Sequence, residues 1–203
     1  MAVKLTKNEL KVQKDRLRQY ERYLPTLQLK KQQLQLVIRQ IEAEIVEHRS
    51  AQQRLVLDMQ SWIAVYAENT SFAAEEELAS LISIESIIRS TDNIAGVYIP
   101  VFEALQFAQI PYDLNAYPLW VDSGITALRS YARLDAVIAT LAEQISLLAE
   151  ELRVTSQRVN LFEKVKIPEA KENIRIIGIY LGDQQTAAVV RGKIAKKKLV
   201  GGV

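Results

Sequence analysis

The sequence predicts a mostly α-helical fold: a long antiparallel two-helix coiled coil, made by the N- and C-terminal helices, with a small central head of a β-hairpin and a short helix. Three observations support this prediction. The 203 residues include only 7 Gly and 5 Pro, and no Gly precedes Gly96, so few residues break a helix. Apolar residues recur every seven positions near both ends of the chain. Between the two ends, a short segment alternates apolar with polar residues, as a strand does.

The N-terminal helix is predicted over residues 1–71. Thr6 and Glu9 have the spacing of a capping box, which satisfies free backbone amides where a helix begins. Two apolar tracks three residues apart then follow, which is the a and d pattern of a coiled coil. Pro25 lies within these tracks, and because they continue in phase we expect a kink there and not a helix end. The first track holds Leu10, Leu17, Leu24, Ile38, Ile45, Met59 and Tyr66; the second holds Tyr20, Leu27, Leu34, Ile41, His48, Leu55 and Trp62; Gln13, Lys31 and Gln52 interrupt them.

The central segment, residues 72–121, is predicted to form the head. Ala73–Leu81 favours one more helical piece. Ile82–Ile88 nearly alternates apolar with polar residues, and Val97–Phe102 is rich in β-branched and aromatic residues, so both favour strands. Thr91 through Gly96 has the composition of a turn. We therefore expect a β-hairpin over about residues 82–102, which has to pack on the helices or on another protein because an isolated hairpin is only marginally stable.

The C-terminal segment, residues 122–203, is predicted to be one helix that runs from an N-cap at Asp122 or Ser123 to about Lys198 and ends in a basic tail. Its apolar tracks match those of the first helix in spacing and extent, so the simplest partner for each helix is the other, in antiparallel orientation. One track holds Leu134, Leu141, Leu148, Thr155 and Phe162, and the other holds Ile138, Ile145, Leu152 and Val159.

The charge pattern separates the same three segments. Residues 1–72 have 12 basic and 8 acidic side chains, a net charge of +4, and residues 121–203 have 13 and 9, again +4. Residues 73–120 have 1 basic and 7 acidic side chains, a net charge of −6. Basic arms around an acidic middle suggest that the parts meet different partners.

Few residues are candidates for catalysis or metal binding. The absence of Cys excludes disulfides, zinc–thiolate sites and thiol catalysis. His48 is the single histidine and falls on an apolar track, so a structural role is favoured. Gly178 and Gly182 follow an apolar run that is too short for a membrane span, so they indicate a close approach of another backbone. We expect no enzyme activity, no cofactor, no metal and no membrane insertion, in a cytoplasmic protein.

Three segments resemble the D subunit of the V-type and A-type rotary ATPases. The most specific is RVNLFEKVKIP, from Arg158 to Pro168, where Phe162 stands at a position that is usually Leu or a similar residue in that family. The start is also similar, with Leu5-Thr6-Lys7, Leu24-Pro25 and Leu29-Lys30-Lys31. The third segment is Asn93 with Gly96-Val97-Tyr98-Ile99-Pro100. Together these segments span nearly the whole chain in the family's order.

The resemblance implies a central-stalk rotor subunit that couples rotation of the membrane ring to ATP hydrolysis or synthesis. Its implied partners are the A and B subunits of the catalytic hexamer, the F subunit of the rotor, and the stalk subunit that connects to the ring. The chain itself is then a non-catalytic subunit, cytoplasmic and peripheral to the membrane. Candidate contact residues are Arg158, Asn160, Glu163, Ile167, Pro168, Arg191, Lys196 and Lys197.

Two other functions stay open on the sequence. The heptads also permit a free-standing coiled-coil adaptor or homodimer. The basic segment from Arg191 to Lys198 permits a helix that binds nucleic acid or an anionic membrane surface, although it lacks interleaved aromatic residues and a recognisable nucleic-acid-binding domain. Binding to nucleic acid or insertion into the membrane is therefore not expected.

Overall fold

The structure is a computed structural model that describes residues 3–67, 81–111 and 120–200. Its elements are helix α1, the strands β1 and β2, helix α2, a π-helical turn and helix α3. Their bounds are Lys7–Ala67 for α1, Ile84–Ile94 for β1, Val97–Phe107 for β2, Val121–Leu161 for α2, Phe162–Lys166 for the π turn and Ile167–Val200 for α3. Two long helical segments with a two-stranded antiparallel sheet between them confirm the predicted fold class.

Helix α1 begins as the sequence predicts. The Thr6 hydroxyl oxygen accepts a hydrogen bond of 3.2 Å from the backbone N–H of Glu9, which satisfies one of the amides left open at a helix start. Pro25 lies inside the helix without ending it. The predicted end near Ser71 and most of the predicted helical piece Ala73–Leu81 lie outside the described residues.

Helix α2 begins at Val121, so Asp122 and Ser123 lie in its first turn. The N-cap predicted at one of these two residues is therefore wrong. Val121 and Ile125 are buried there with Leu81, in a small core that Trp120 and Leu128 complete. The helix begins two residues before Ser123, the first helical residue that an N-cap at Asp122 would give, and this places Val121 in the buried core.

The contacts group the chain into two compact units: residues 33–152, here called the central unit, and residues 1–32 with 153–203, here called the terminal unit. Each unit contains part of α1 and part of the C-terminal helical segment. The division by composition into residues 1–71, 72–121 and 122–203 stays a prediction.

The core of the central unit joins α1, α2 and the hairpin. Leu34 and Leu148 are fully buried, and Ile41, Ile45 and Ile99 are nearly so. Leu34 and Ile41 are seven residues apart on the predicted track, which shows that the heptad marks the contact face. Ile99 comes from β2, so the hairpin packs on the helices of this unit. Within the unit the two helices are antiparallel, because residues 51–58 line grooves with residues 122–134 while Leu34 shares its core with Leu148.

The hairpin is longer and its turn tighter than predicted. Ile94 pairs with Val97, so the turn consists of Ala95 and Gly96 alone. Both have positive φ, 52° and 83°, which is the conformation that the right-handed twist of the strands favours in a two-residue turn. The predicted turn from Thr91 to Gly96 is thus wrong at Thr91–Ile94, which belong to β1, and β2 extends to Phe107 instead of Phe102. Inter-strand hydrogen bonds over these residues outweigh their local preference for turns.

Candidate functional site: the π turn and the basic end of the C-terminal helix

The predicted contact residues form two groups along the C-terminal helical segment. The first group surrounds the π turn, and the second lies in the last turns of α3, roughly 36 Å further along a helix of this length. The structure does not bring the two groups together. In the first group Arg158, Asn160, Glu163 and Pro168 are exposed and Ile167 is half-buried, whereas in the second group Arg191, Lys196 and Lys197 are all exposed.

The π turn interrupts what the sequence predicts to be one continuous helix from Asp122 to Lys198. Over Phe162–Lys166 the backbone is wider than an α-helix, and the N–H of Ile167 donates to the carbonyl oxygen of Phe162, five residues back instead of four. Pro168 follows directly. In a regular helix its ring would clash with the carbonyl of Lys164 and leave one hydrogen bond unmade, a cost of about 3 kcal/mol. The widened π turn includes Lys164, so it lies where a regular α-helix would have this clash.

The π turn also shifts the buried seam of the helix by one residue. Thr155 and Phe162 are seven residues apart on one heptad track. The next buried residues are Ala170 and Ile177, which lie 8 and 15 residues beyond Phe162. The uninterrupted heptad would instead bury Ile176, which is 39% exposed. The π turn therefore holds one extra residue and puts a new set of side chains into the seam.

The sequence contains a signal for this shift that heptad counting up to Phe162 misses. Beyond Pro168 the apolar positions with the spacing of a seam are Ala170, Ile174, Ile177 and Leu181. This set is one residue out of phase with the set that ends at Phe162. A phase jump of one residue next to a proline predicts a one-residue insertion in the helix.

An aromatic contact and an ion pair join α1 to this region within the terminal unit. The rings of Tyr20 and Phe162 have centroids 5.1 Å apart at an interplanar angle of 44°, a tilted arrangement that aromatic pairs favour. The ammonium of Lys171 lies 3.4 Å from the carboxylate of Glu21. Adjacent residues of α1 thus contact the C-terminal segment on the two sides of the widened part, at the start of the π turn and just beyond its end.

Ion pairs lie on the surface of α3 and the π turn, next to the buried seam. Arg175 donates from Nε and Nη2 to the two carboxylate oxygens of Glu172, at 2.8 and 2.7 Å. This hydrogen-bonded contact lowers the pKa of Glu172 below its usual value and raises the pKa of Arg175. Lys166 and Glu169 form a second pair of 3.2 Å. All four groups are exposed to solvent, so these pairs orient side chains more than they stabilise the fold.

The end of α3 has a different character. From Gly178 to Val200 every residue is exposed except Leu181 and Ala187, which are half-buried. The basic residues of this end fall on all sides of the helix, because 3.6 residues complete a turn. Large aliphatic side chains also face solvent there. The basic residues are Arg191, Lys193, Lys196, Lys197 and Lys198, and the aliphatic ones include Val189, Val190, Ile194 and Leu199.

The described residues show neither a metal centre nor a membrane span. No group of three or more His, Cys, Asp or Glu side chains in residues 3–67, 81–111 and 120–200 has an arrangement that could hold a metal ion. Within the same ranges, no helix combines the length and the apolar character needed to cross a membrane. His48 is half-buried on α1, at the seam position that the heptad predicts.

The sequence is similar to known proteins over almost its full length. Residues 9–197 match the family of the ATP synthase D subunit. The D subunit of the V-type ATP synthase of Borreliella burgdorferi is 50% identical over 198 residues, which cover 98% of this chain and 95% of the relative. The D subunit of the V-type ATP synthase of Chlamydia muridarum is 34% identical over 197 residues, covering 97% and 96%. The chain with the π turn and the basic helix end therefore belongs to the family of ATP synthase D subunits.

Proposed function

We propose that this chain is the central-stalk rotor subunit of a V/A-type rotary ATPase and couples rotation of the membrane ring to ATP hydrolysis or synthesis in the A/B catalytic hexamer. Its membership of the D-subunit family supports a place in such a complex. The observation that carries the rotor role is the end of α3, a single helix that exposes basic and aliphatic side chains on every side.

The surface of this end suits an enclosing partner. A helix that packs on one neighbour needs one apolar stripe and a polar remainder. Here Val190 and Ile194 are about half exposed, and Arg191 and Lys193 lie between them on other sides of the helix. Such a surface has no preferred face, so a ring of subunits around the helix can contact it in every rotational position. We assign the A and B subunits as that ring.

The paired helices suit the transmission of torque. In the terminal unit, α1 is joined to the C-terminal segment by the Tyr20–Phe162 contact and the Glu21–Lys171 ion pair. In the central unit, Leu34 and Leu148 are fully buried between α1 and α2. Two helices joined side by side resist twisting better than one helix does. The site contributes no catalytic group in this proposal, and the nucleotide chemistry belongs to the surrounding subunits.

The hairpin offers a surface for the remaining partners of the proposal, the F subunit and the stalk subunit that connects to the ring. Ile84, Ile87, Ile88 and Tyr98 are large apolar residues of the hairpin that are exposed to solvent. Exposed apolar residues on a small element provide surface that a protein partner can cover. The acidic residues nearby, Glu85 among them, favour a partner with basic groups.

A rotation experiment tests the proposal. The chain has no cysteine, so Tyr98→Cys on the exposed hairpin gives a unique attachment point for a probe particle. The labelled chain is assembled with A and B subunits that are fixed to a surface, and ATP is added. We expect stepwise rotation of the particle in one direction. ATP hydrolysis with a stationary particle would contradict the rotor role.

Sedimentation of the purified chain separates the rotor from a coiled-coil homodimer. A rotor shaft is expected to be a monomer that binds one small second subunit, because its two helical segments already pair with each other. A stable dimer with no affinity for A and B subunits would support the free-standing adaptor instead.

A further inference from the structure

We propose that the π turn Phe162–Lys166 is a register switch, at which α3 exchanges between two seams against α1 and so turns about its own axis. One seam is the one observed, with the extra residue held in the π turn. The other is the seam that an uninterrupted α-helix would form. The functional part of this inference, that the shaft can twist about its own axis, rests on the proposed function.

The helix beyond the π turn carries side chains for both seams. In the observed register Ile177 is fully buried and Leu181 half-buried, whereas Ile176 and Tyr180 are each 39% exposed. Ile176 lies 14 residues after Phe162, and Tyr180 lies 21 residues after Val159. An uninterrupted heptad would therefore bury Ile176 and Tyr180 in place of Ile177 and Leu181. Each register fills these two layers with one large apolar residue per layer.

The first layers after the turn distinguish the registers by polarity. The observed seam holds Ala170 and Ile174, and the alternative would hold Glu169 and Asn173. A small polar cavity lies beside these layers, and Glu169 and Asn173 line it together with residues that can form hydrogen bonds or ion pairs with them. Its other lining residues are Gln13, Arg16, Tyr20, Lys166 and Ala170. Because Arg16 and Lys166 are cations and Gln13 and Tyr20 can donate hydrogen bonds, the cavity can accept the Glu169 carboxylate in the alternative register.

Pro168 sets the balance between the two registers. Its ring disfavours the regular helix that the alternative register requires, and the widened turn precedes it. Exchange of registers by one residue turns α3 by about 100° and moves it about 1.5 Å along its axis. In a rotating shaft, this switch would allow the basic end of α3 to rotate later than the rest of the chain.

Methyl NMR of the purified full chain tests the switch directly. The isoleucine methyl groups at positions 176 and 177 exchange burial between the registers, so each reports on the populations. Pro168→Ala is expected to raise the population of the alternative register on the order of a hundredfold, because it removes the proline clash. Both methyl groups should then show exchange at one common rate. Single, unbroadened signals for both residues in Pro168→Ala would overturn the proposal.

A second variant locks one register. Deletion of Val165 from the π turn, combined with Pro168→Ala, removes the extra residue and brings Ala170 and Ile177 into heptad phase with Phe162. This variant should fold, with Ile177 buried and no exchange. A control deletion of exposed Glu172 that keeps Pro168 should lose stability instead, because the proline favours the π turn and the deletion then brings Gly178 and Gly182 into the seam. Persistent exchange in the locked variant, or equal stability of the two deletions, would contradict the switch.

The functional part is tested in the assembled ATPase. The locked variant should assemble and hydrolyse ATP, but transport at most about half as many ions per ATP as the unaltered chain. Unchanged coupling would overturn the torsional role. Failure of the unaltered chain to assemble with A and B subunits would instead overturn the proposed function, and the NMR result on the switch would not depend on it.

Discussion

The guanidinium of Arg89 on β1 lies 2.9 Å from the carboxylate of Glu143 on α2. The next residue, Gln144, donates from its buried side-chain amide to the carbonyl oxygen of Pro100 on β2. Adjacent residues of one helix thus hold both strands of the hairpin. The first contact is charged and partly exposed, and the second is neutral and buried, so the two respond differently to salt.

Substitutions at these two positions separate their contributions. Arg89→Ala is expected to destabilise the hairpin by at most about 1 kcal/mol, and the difference should shrink at high salt because exposed ion pairs are screened. Gln144→Leu should cost about 1–2 kcal/mol at any salt concentration, because it removes a buried hydrogen bond. Hydrogen exchange of the hairpin amides at low and high salt measures both effects. A salt-dependent effect of Gln144→Leu would contradict this assignment.

A substitution in the turn of the hairpin is expected to stabilise it. Ala95 has a positive φ of 52°, which residues with a Cβ adopt at a cost of roughly 1–2 kcal/mol. Asn tolerates this conformation, and Asn-Gly is favoured at this type of turn. Ala95→Asn should therefore stabilise the hairpin by about 1 kcal/mol, and Ala95→Val, the matched control, should destabilise it. Thermal unfolding followed by circular dichroism compares the three chains.

The two glutamines that interrupt the heptads of α1 should respond in opposite ways to the same substitution. The amide nitrogen of Gln52 is buried and has no hydrogen-bond partner, whereas Gln13 donates to Glu9 over 2.8 Å. Gln52→Leu is expected to stabilise the chain by about 1–2 kcal/mol, because it removes an unsatisfied donor and adds apolar burial. Gln13→Leu should be neutral or destabilising by up to about 1 kcal/mol. Urea unfolding midpoints test this, and stabilisation by both substitutions would contradict it.

Phe162 should couple energetically to Tyr20. A double-mutant cycle with Tyr20→Leu and Phe162→Leu is expected to give an interaction energy of about 0.5–1.5 kcal/mol, the range for aromatic pairs. Tyr23→Leu serves as the control, because Tyr23 is exposed and lies nearby on α1. An equal coupling of Phe162 to Tyr23 would show that the ring contact is not its source.

The long heptad repeats predict which residues lie in the core. The exact turn of the hairpin and the π turn, which each depend on the backbone of a few residues, are not predicted. Leu34, Ile41 and Leu148 lie in the core because heptad spacing determines which face of a helix is apolar. The predicted turn before Gly96 is too broad, since Thr91 to Asn93 prefer turns locally but make strand hydrogen bonds here. The π turn escapes prediction because the heptad tracks reach only to Phe162, and the phase shift appears only beyond it.

The basic end of α3 carries the last prediction. Truncation of the chain before Lys196 removes three lysines and no buried residue of the described part. Its thermal stability should therefore change by less than about 0.5 kcal/mol. In the assembled ATPase, however, fewer ions should be transported per ATP, because the helix loses part of the surface that meets the surrounding subunits. Replacement of Lys196, Lys197 and Lys198 by Gln separates charge from length: a defect equal to that of the truncation assigns the effect to charge, and full coupling in both variants would contradict a role for this end.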